Sequence, residues 1–133
     1  MLWRDAELRV VQVDEGDYPG YLRVVWNAHV REWSDLAPFS RRRLAEVLFL
    51  VEQAVRATLG PDKVNLASLG NMVPHLHWHV IPRFADDAHF PQPIWGLRQR
   101  STAAPVLARR HAAAAGLAAR IATGLGAAGA PDP

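Results

Sequence analysis

Three histidines alternate along one short segment of the chain. His75, His77 and His79 are separated by single apolar residues in the run Pro-His-Leu-His-Trp-His-Val-Ile-Pro, residues 74–82. On a β-strand, successive side chains point to opposite faces, so the three imidazoles would share one face with alternate Cα atoms roughly 7 Å apart. The chain has six histidines, and half of them would therefore lie on one face of one strand. This concentration indicates a functional site.

Three interpretations of the histidine strand are open. The imidazoles could be partly exposed side chains with a structural role only. They could instead hold a metal ion, because His-x-His on a strand is a common zinc pair. Chelation by all three would require the outer rings to lean together across roughly 14 Å between their Cα atoms. A two-histidine site would need a distant further ligand, and none stands in a recognisable motif among the candidates His29, Asp86, Asp87 and His89.

Nucleophilic catalysis at phosphorus is the favoured interpretation, because it uses every polar residue of the segment. A neutral imidazole is a competent nucleophile near pH 7 when one ring nitrogen keeps its lone pair. A second imidazole two residues away can protonate a leaving group, and a rigid strand fixes both groups before substrate arrives. The preceding turn, Gly70-Asn71-Met72, can offer backbone N–H groups and an amide to phosphate oxygens.

The composition indicates one ordinary globular domain. The chain has 133 residues, of which half are apolar and 21% are charged. Its net charge of +2 is too small for a nucleic-acid-binding surface. The absence of cysteine excludes disulfides, thiolate zinc ligands and a cysteine nucleophile. With acids at Asp5 and Glu7 and no apolar stretch long enough to span a membrane, the sequence predicts a cytoplasmic protein that binds neither nucleic acid nor membrane.

Strand and helix patterns surround the histidine segment. They predict strands over residues 8–13, 21–26, 63–69 and 75–82. A long amphipathic helix is predicted over residues 41–59, with Ser40 as its N-cap and Gly60-Pro61 at its end. A loop follows the histidine strand, and Pro105 opens a C-terminal helix that ends near Thr123. Strands, one long helix and then strands again are typical of an antiparallel α+β domain.

The histidine segment resembles the signature of the histidine triad (HIT) family, His-x-His-x-His followed by apolar residues. The resemblance extends upstream through residues 63–65 and 70–73, more weakly to residues 19–22, and covers roughly residues 5–100 in all. Residues 87–96 resemble a bacterial branch often labelled diadenosine tetraphosphate hydrolase-like. On this basis we expect a HIT domain over residues 1–105, its C-terminal helix over 106–123 and a flexible tail over 124–133.

The resemblance implies both a fold and an activity. The fold would be α+β, a HIT-like antiparallel five-stranded sheet with one long helix packed on it and a C-terminal helix, assembled as a homodimer. The protein would be a histidine triad hydrolase of phosphoric anhydrides or phosphoramidates, acting on the α-phosphate of an adenylated compound or dinucleoside polyphosphate. No cofactor or metal is implied. A nucleotide-binding module without turnover and a histidine-ligated metalloenzyme remain the alternatives.

The resemblance also implies roles for individual residues. His77 would form a covalent nucleotidyl intermediate, His79 would contact the phosphate and assist the leaving group, and His75 would orient the site by hydrogen bonding. Three further residues are expected to bind the substrate phosphate: Asn65, Gly70 and Asn71.

Some positions depart from the family pattern. Many members carry a histidine where this chain has Tyr21, so either the tyrosine hydroxyl fills its hydrogen-bonding role or that role is dispensable. His29 is expected at the surface rather than at the site. The uridylyltransferase branch has glutamine at the third triad position, so His79 favours hydrolysis over transfer to a sugar phosphate.

Other polar and aromatic residues receive simpler predictions. Trp78 should point away from the histidines into the core, and Trp95 should pin the Pro-rich loop rather than flank a nucleoside. Asp86 and Asp87 should be solvated. Arg83 could meet either a phosphate or a carboxylate.

Overall fold

A five-stranded antiparallel sheet carries the histidine segment in a computed structural model that describes residues 1–126. The strands run in the order β1-β2-β3-β5-β4, with bounds β1 Trp3–Arg4, β2 Leu8–Gln12, β3 Leu22–Trp26, β4 Lys63–Ala67 and β5 His77–Arg83. The helices are α1 Pro38–Leu59, α2 Ala104–Ala114 and α3 Leu117–Leu125, and Trp33–Asp35 forms a short 3₁₀ helix. The predicted α+β fold class is confirmed. Among residues 1–126, no helix has the length and hydrophobicity of a membrane span.

Helix α1 covers one face of the sheet and forms the main core with it. Val80 on β5 is fully buried, and its register partner Leu22 on β3 is buried with it. From the helix, Val47 and Val51 pack against this face and are equally inaccessible. Each such side chain contributes roughly 1.5–3 kcal/mol through its removal from water. Since α1 covers one face of β5, the site must lie on the opposite face, which carries the histidines.

The start of α1 differs from its prediction. The helix begins at Pro38 with Ala37 as its N-cap, so the prediction of Ser40 at that position is wrong. Proline is well suited to the first helical turn, because its missing N–H would have no partner there and its φ is already helical. At the other end Gly60 adopts φ +58, and its N–H donates to the carbonyl of Arg56 at 3.0 Å, as the Gly-Pro stop signal predicts.

The C-terminal helical segment is broken where a single helix is predicted. Helix α2 ends at Ala114, and α3 begins at Leu117 after a turn through Gly116. Glycine costs about 1 kcal/mol relative to alanine inside a helix, so a break there is inexpensive. The break lets α3 bury Ile121 against the main core. Of the predicted tail, residues 124 and 125 belong to α3, and everything from residue 127 lies outside the described residues.

Gly20 shapes the entry into β3. Its φ of +83 lies in the left-handed region, which side chains rarely adopt. A Cβ added there would also collide with the side chain of Leu59 at the end of α1. The Pro-Gly turn of the sequence is therefore required at this point, and it fixes where Tyr21 enters the sheet.

Candidate active site

The outward face of β5 and its two neighbouring strands forms the candidate site. Strand β5 begins at His77 rather than at the predicted His75, but the alternation continues, with Trp78 packed against the main core. In the sheet register, His79 lies between Arg23 on β3 and Ala67 on β4. Asn65 on β4 shares this face, because it lies two residues before Ala67. The fold thus brings His77, His79 and Asn65 together.

One ring nitrogen of His77 is hydrogen-bonded to the backbone, and the other is free. Its Nδ1 lies 2.6 Å from the backbone carbonyl oxygen of His75. A carbonyl oxygen only accepts hydrogen bonds, so Nδ1 must carry the proton. In the neutral ring, Nε2 therefore keeps its lone pair. The ring is only partly buried. This is the arrangement that a nucleophilic imidazole requires.

His75 ties the start of the histidine segment to β3. Its Nε2 donates to the carbonyl of Trp26 at 2.5 Å, and its Nδ1 lies 3.2 Å from Nδ1 of His29. The exposed position of His29 agrees with its prediction, but the two rings stack with centroids 5.4 Å apart. His75 thereby holds in place the carbonyl that orients His77.

His79 is the buried member of the triad, with 4% of its surface exposed. Its Nδ1 lies 2.6 Å from the hydroxyl oxygen of Tyr21, so this tyrosine forms a hydrogen bond with a triad imidazole. The ring meets His77 edge to face at a centroid distance of 4.9 Å. Burial lowers the pKa of His79 to about 4, and the charges of His77 and Arg23 act in the same direction. His79 is therefore neutral near pH 7.

The three predicted phosphate-binding residues lie in two places. Asn65 faces the same side as His79, and its Oδ1 accepts a hydrogen bond from Arg83 at 2.7 Å. Gly70, with φ +73, and the exposed Asn71 lie in the turn that leads into His75. Within residues 1–126, no hydrogen bond joins that turn's Gly70 or Asn71 to a triad imidazole.

Arg83 meets a carboxylate, and the solvated position predicted for Asp87 is wrong. Both side chains are almost completely buried, and Asp87 accepts hydrogen bonds from Nε and Nη2 of Arg83 at 2.8 and 3.1 Å. The buried guanidinium needs a counter-charge, and no other carboxylate among residues 1–126 bonds to it. Asp86, by contrast, is about half exposed and pairs with Arg110, in agreement with its prediction.

Asp87 also holds the loop that follows β5. It accepts backbone N–H groups from Phe84, His89 and Phe90 at 2.7 to 3.1 Å. Burial acts to raise the pKa of Asp87, but the hydrogen bonds from Arg83 and these N–H groups outweigh it and lower the pKa to about 2. Sequence reasoning missed this loop anchor, because an Asp-Asp pair in a loop looks solvated until the buried arginine beneath it is known.

The anchored loop places Trp95 at the site rather than only pinning the chain. Its ring is half exposed and meets His79 edge to face, with centroids 5.0 Å apart. It borders a groove of about 970 Å³ that runs along β4, and six of the groove-lining residues are Trp33, Phe49, Asn65, Leu66, Arg83 and Trp95. Among residues 1–126, no three His, Asp or Glu side chains are grouped to hold a metal ion.

Arg23 is a second residue that sequence reasoning missed. It stands directly across from His79, and its buried Nε has no hydrogen-bond partner in the described chain. The signal was present in the sequence, because Tyr21 and Arg23 are two residues apart on a predicted strand and must share a face. What the sequence did not show was that this face is the one with the histidines.

Comparisons with known proteins identify the family to which this chain is similar. A family model described as HIT domain matches residues 2–86. A histidine triad protein from Bradyrhizobium japonicum is 29% identical, with 86% of each chain covered and a TM-score of 0.70. Histidine triad proteins from Sinorhizobium meliloti and Marinobacter aquaeolei are each 27% identical with a TM-score of 0.71, covering 92% and 90% of this chain and 87% and 88% of theirs. No curated protein sequence matches.

These three structures are described only as histidine triad proteins, so they do not single out the diadenosine tetraphosphate hydrolase-like branch. The family model spans more than half of the chain and includes all three alternating histidines. This chain therefore belongs to the histidine triad (HIT) domain family.

Proposed function

We propose that this protein is a nucleotidyl hydrolase in which His77 attacks the α-phosphorus of a nucleotide. The observation that carries the proposal is the hydrogen bond from His77 Nδ1 to the carbonyl of His75, which leaves Nε2 free in a partly open ring. HIT proteins generally bind or hydrolyse nucleotides, which supports the choice of substrate class.

The reaction has two balanced steps. The Nε2 lone pair of His77 forms a bond to phosphorus while the bond to the leaving group breaks, and the leaving group takes that electron pair. Water then attacks the nucleotidyl-histidine, its proton is released, and the nitrogen–phosphorus bond breaks to restore the imidazole. His79 and Asn65, with the turn of Gly70 and Asn71, would hold the phosphate oxygens, and His75 would orient the nucleophile. The substrates to test first are diadenosine polyphosphates, nucleoside phosphoramidates and adenylyl sulfate.

A covalent adduct is the direct test. Protein mixed with each substrate and quenched with alkaline denaturant, which spares the acid-labile nitrogen–phosphorus bond, should gain the mass of one nucleotidyl group. Peptide mapping should place that group on His77. The matched control is His111→Ala, since His111 is exposed on α2 and, within residues 1–126, its side chain hydrogen-bonds only to the carbonyl of Gly16. The control should form the adduct normally.

Three outcomes would contradict the proposal. An adduct on another residue would show that His77 is not the nucleophile. Nucleotide binding with neither turnover nor adduct would indicate a binding module. Loss of hydrolysis on treatment with a chelator, restored by metal, would indicate a metalloenzyme.

We also propose that the protein is a homodimer that pairs β4 with its copy. Strand β4 is an edge of the sheet, so one row of its backbone N–H and C=O groups has no strand partner in the part of the chain that the structure describes. Beside this edge, Phe49 and Leu66 are 54% and 44% exposed and line the same groove. An antiparallel pair formed by β4 of two copies is two-fold symmetric, so the same contact would give the free backbone groups of both strands a partner.

Phe49→Glu is expected to convert the dimer to a monomer, because it places a charge in the apolar groove beside β4. Light scattering during size-exclusion chromatography would measure the mass. Phe39→Glu is the matched control, since Phe39 is 72% exposed in the first turn of α1 and does not line the groove. That control should remain dimeric. A wild-type protein that stays monomeric at high concentration would overturn the proposal.

A further inference from the structure

The hydroxyl of Tyr21 and the ring of His79 form a buried, hydrogen-bonded pair beneath the site. Tyr21 is 3% exposed and His79 is 4% exposed, and their polar atoms are 2.6 Å apart. We propose that Tyr21 is a positioning residue that holds His79 as the neutral tautomer with its proton on Nε2, so that the site favours leaving groups that depart as anions over amines. This inference rests on the proposed function.

The position of the proton follows from the neighbours of Tyr21. Burial raises the pKa of its hydroxyl, while the adjacent Arg23 guanidinium acts to lower it. A guanidinium has only donors, so it cannot accept the tyrosine proton. Among residues 1–126, the one acceptor recorded for that proton is Nδ1 of His79. The hydroxyl therefore donates to Nδ1, and the single proton of the neutral ring must sit on Nε2.

The surroundings of His79 oppose a second proton. Across the sheet it faces the cation Arg23 on β3 and the uncharged Ala67 on β4. On its own strand the neighbour is His77, and the loop contributes the neutral Trp95. No carboxylate forms an ion pair with Arg23 in the described chain. The pKa of about 4 agrees with this arrangement, in which no carboxylate among residues 1–126 forms an ion pair with the ring.

Neutral His79 restricts what can leave from phosphorus. Its Nε2–H can donate a hydrogen bond to a phosphoryl oxygen, but a neutral imidazole is a far weaker acid than an imidazolium. An amine must gain a proton as its bond to phosphorus breaks, so it needs a strong general acid. A phosphate or nucleoside polyphosphate departs as a stable anion, so it does not need a strong general acid. Arg23 lies across from His79 and forms no ion pair within residues 1–126, so its positive charge would favour that anion.

Histidine NMR tests the tautomer without any substrate. In protein labelled with ¹⁵N-histidine, long-range correlations distinguish Nδ1–H, Nε2–H and doubly protonated rings. His79 is expected to show the Nε2–H pattern from pH 5 to 8 in the wild type and to lose it in Tyr21→Phe. A protonated or Nδ1–H ring for His79 in the wild type would overturn the proposal, whether or not the protein hydrolyses nucleotides.

Kinetics test the consequence for the leaving group. The wild type should show a kcat/KM for diadenosine tetraphosphate at least about 10-fold above that for adenosine phosphoramidate. Tyr21→Phe should lower kcat for the anhydride by about 100-fold with little change in KM, and Tyr21→His should restore much of it by supplying another donor to Nδ1. Equal turnover of both substrates would overturn the preference. If His79 carries its proton on Nε2 but neither compound is hydrolysed, the assigned tautomer is confirmed, while the leaving-group preference and the proposed function are both wrong.

Discussion

Replacing His77 by alanine is expected to lower kcat for nucleotide hydrolysis by at least about 10⁴-fold. The variant loses the one triad imidazole that is both partly exposed and left with a free Nε2 lone pair. Its affinity for a nucleotide, measured by calorimetry, should change by only a few fold, because the expected phosphate ligands Asn65, Asn71 and His79 remain. The loss should therefore appear in kcat rather than in binding.

Neither remaining triad histidine is placed to replace His77. The Nδ1 of His79 is occupied by Tyr21, and the ring is buried. The Nε2 of His75 donates to the carbonyl of Trp26, and its Nδ1 faces His29. We therefore expect no residual adduct in His77→Ala, while His111→Ala keeps full activity. Full activity in His77→Ala would show that His77 is not the nucleophile.

The sequence predicted best those features that depend on neighbours along the chain. Alternation over residues 75–80 requires only the two-residue period of a strand, and the structure places Leu76 and Val80 in the core as that period demands. The stop of α1 at Gly60 is equally local. The two-residue strand β1 was missed because such a short element has no detectable period.

Contacts between distant residues could not be predicted in the same way. Tyr21 and His79 are 58 positions apart, and only the register of β3 on β5 brings them together. The sequence left open whether the tyrosine hydroxyl replaces the usual histidine, and the hydrogen bond to His79 favours that replacement. Asp87 is buried because Arg83 is buried and needs a counter-charge. The alternating pattern of a strand does not predict that burial, because residues 79–83 of β5 are all buried, whichever face they are on.

Asp87→Asn is expected to lower the free energy of unfolding at pH 7 by about 3–5 kcal/mol, because it leaves the Arg83 guanidinium buried without a counter-charge. Urea unfolding followed by circular dichroism would measure the change. Asparagine keeps the shape of the side chain, so the effect would report the lost charge and the loss of one of the two acceptor oxygens rather than a cavity. Asp86→Asn is the matched control, since Asp86 is half exposed, and it should cost less than about 1 kcal/mol.

The pH dependence of the same variant provides an independent check. The pKa of Asp87 is about 2 in the folded protein, below the ordinary value of 3.8. Ionised Asp87 therefore stabilises the fold fully above about pH 4, and this contribution is lost as the pH falls from 4 towards 2. The difference in stability between wild type and Asp87→Asn should accordingly narrow over that range. A difference that stays constant from pH 7 to pH 2 would show that the carboxylate charge does not anchor the loop carrying Trp95.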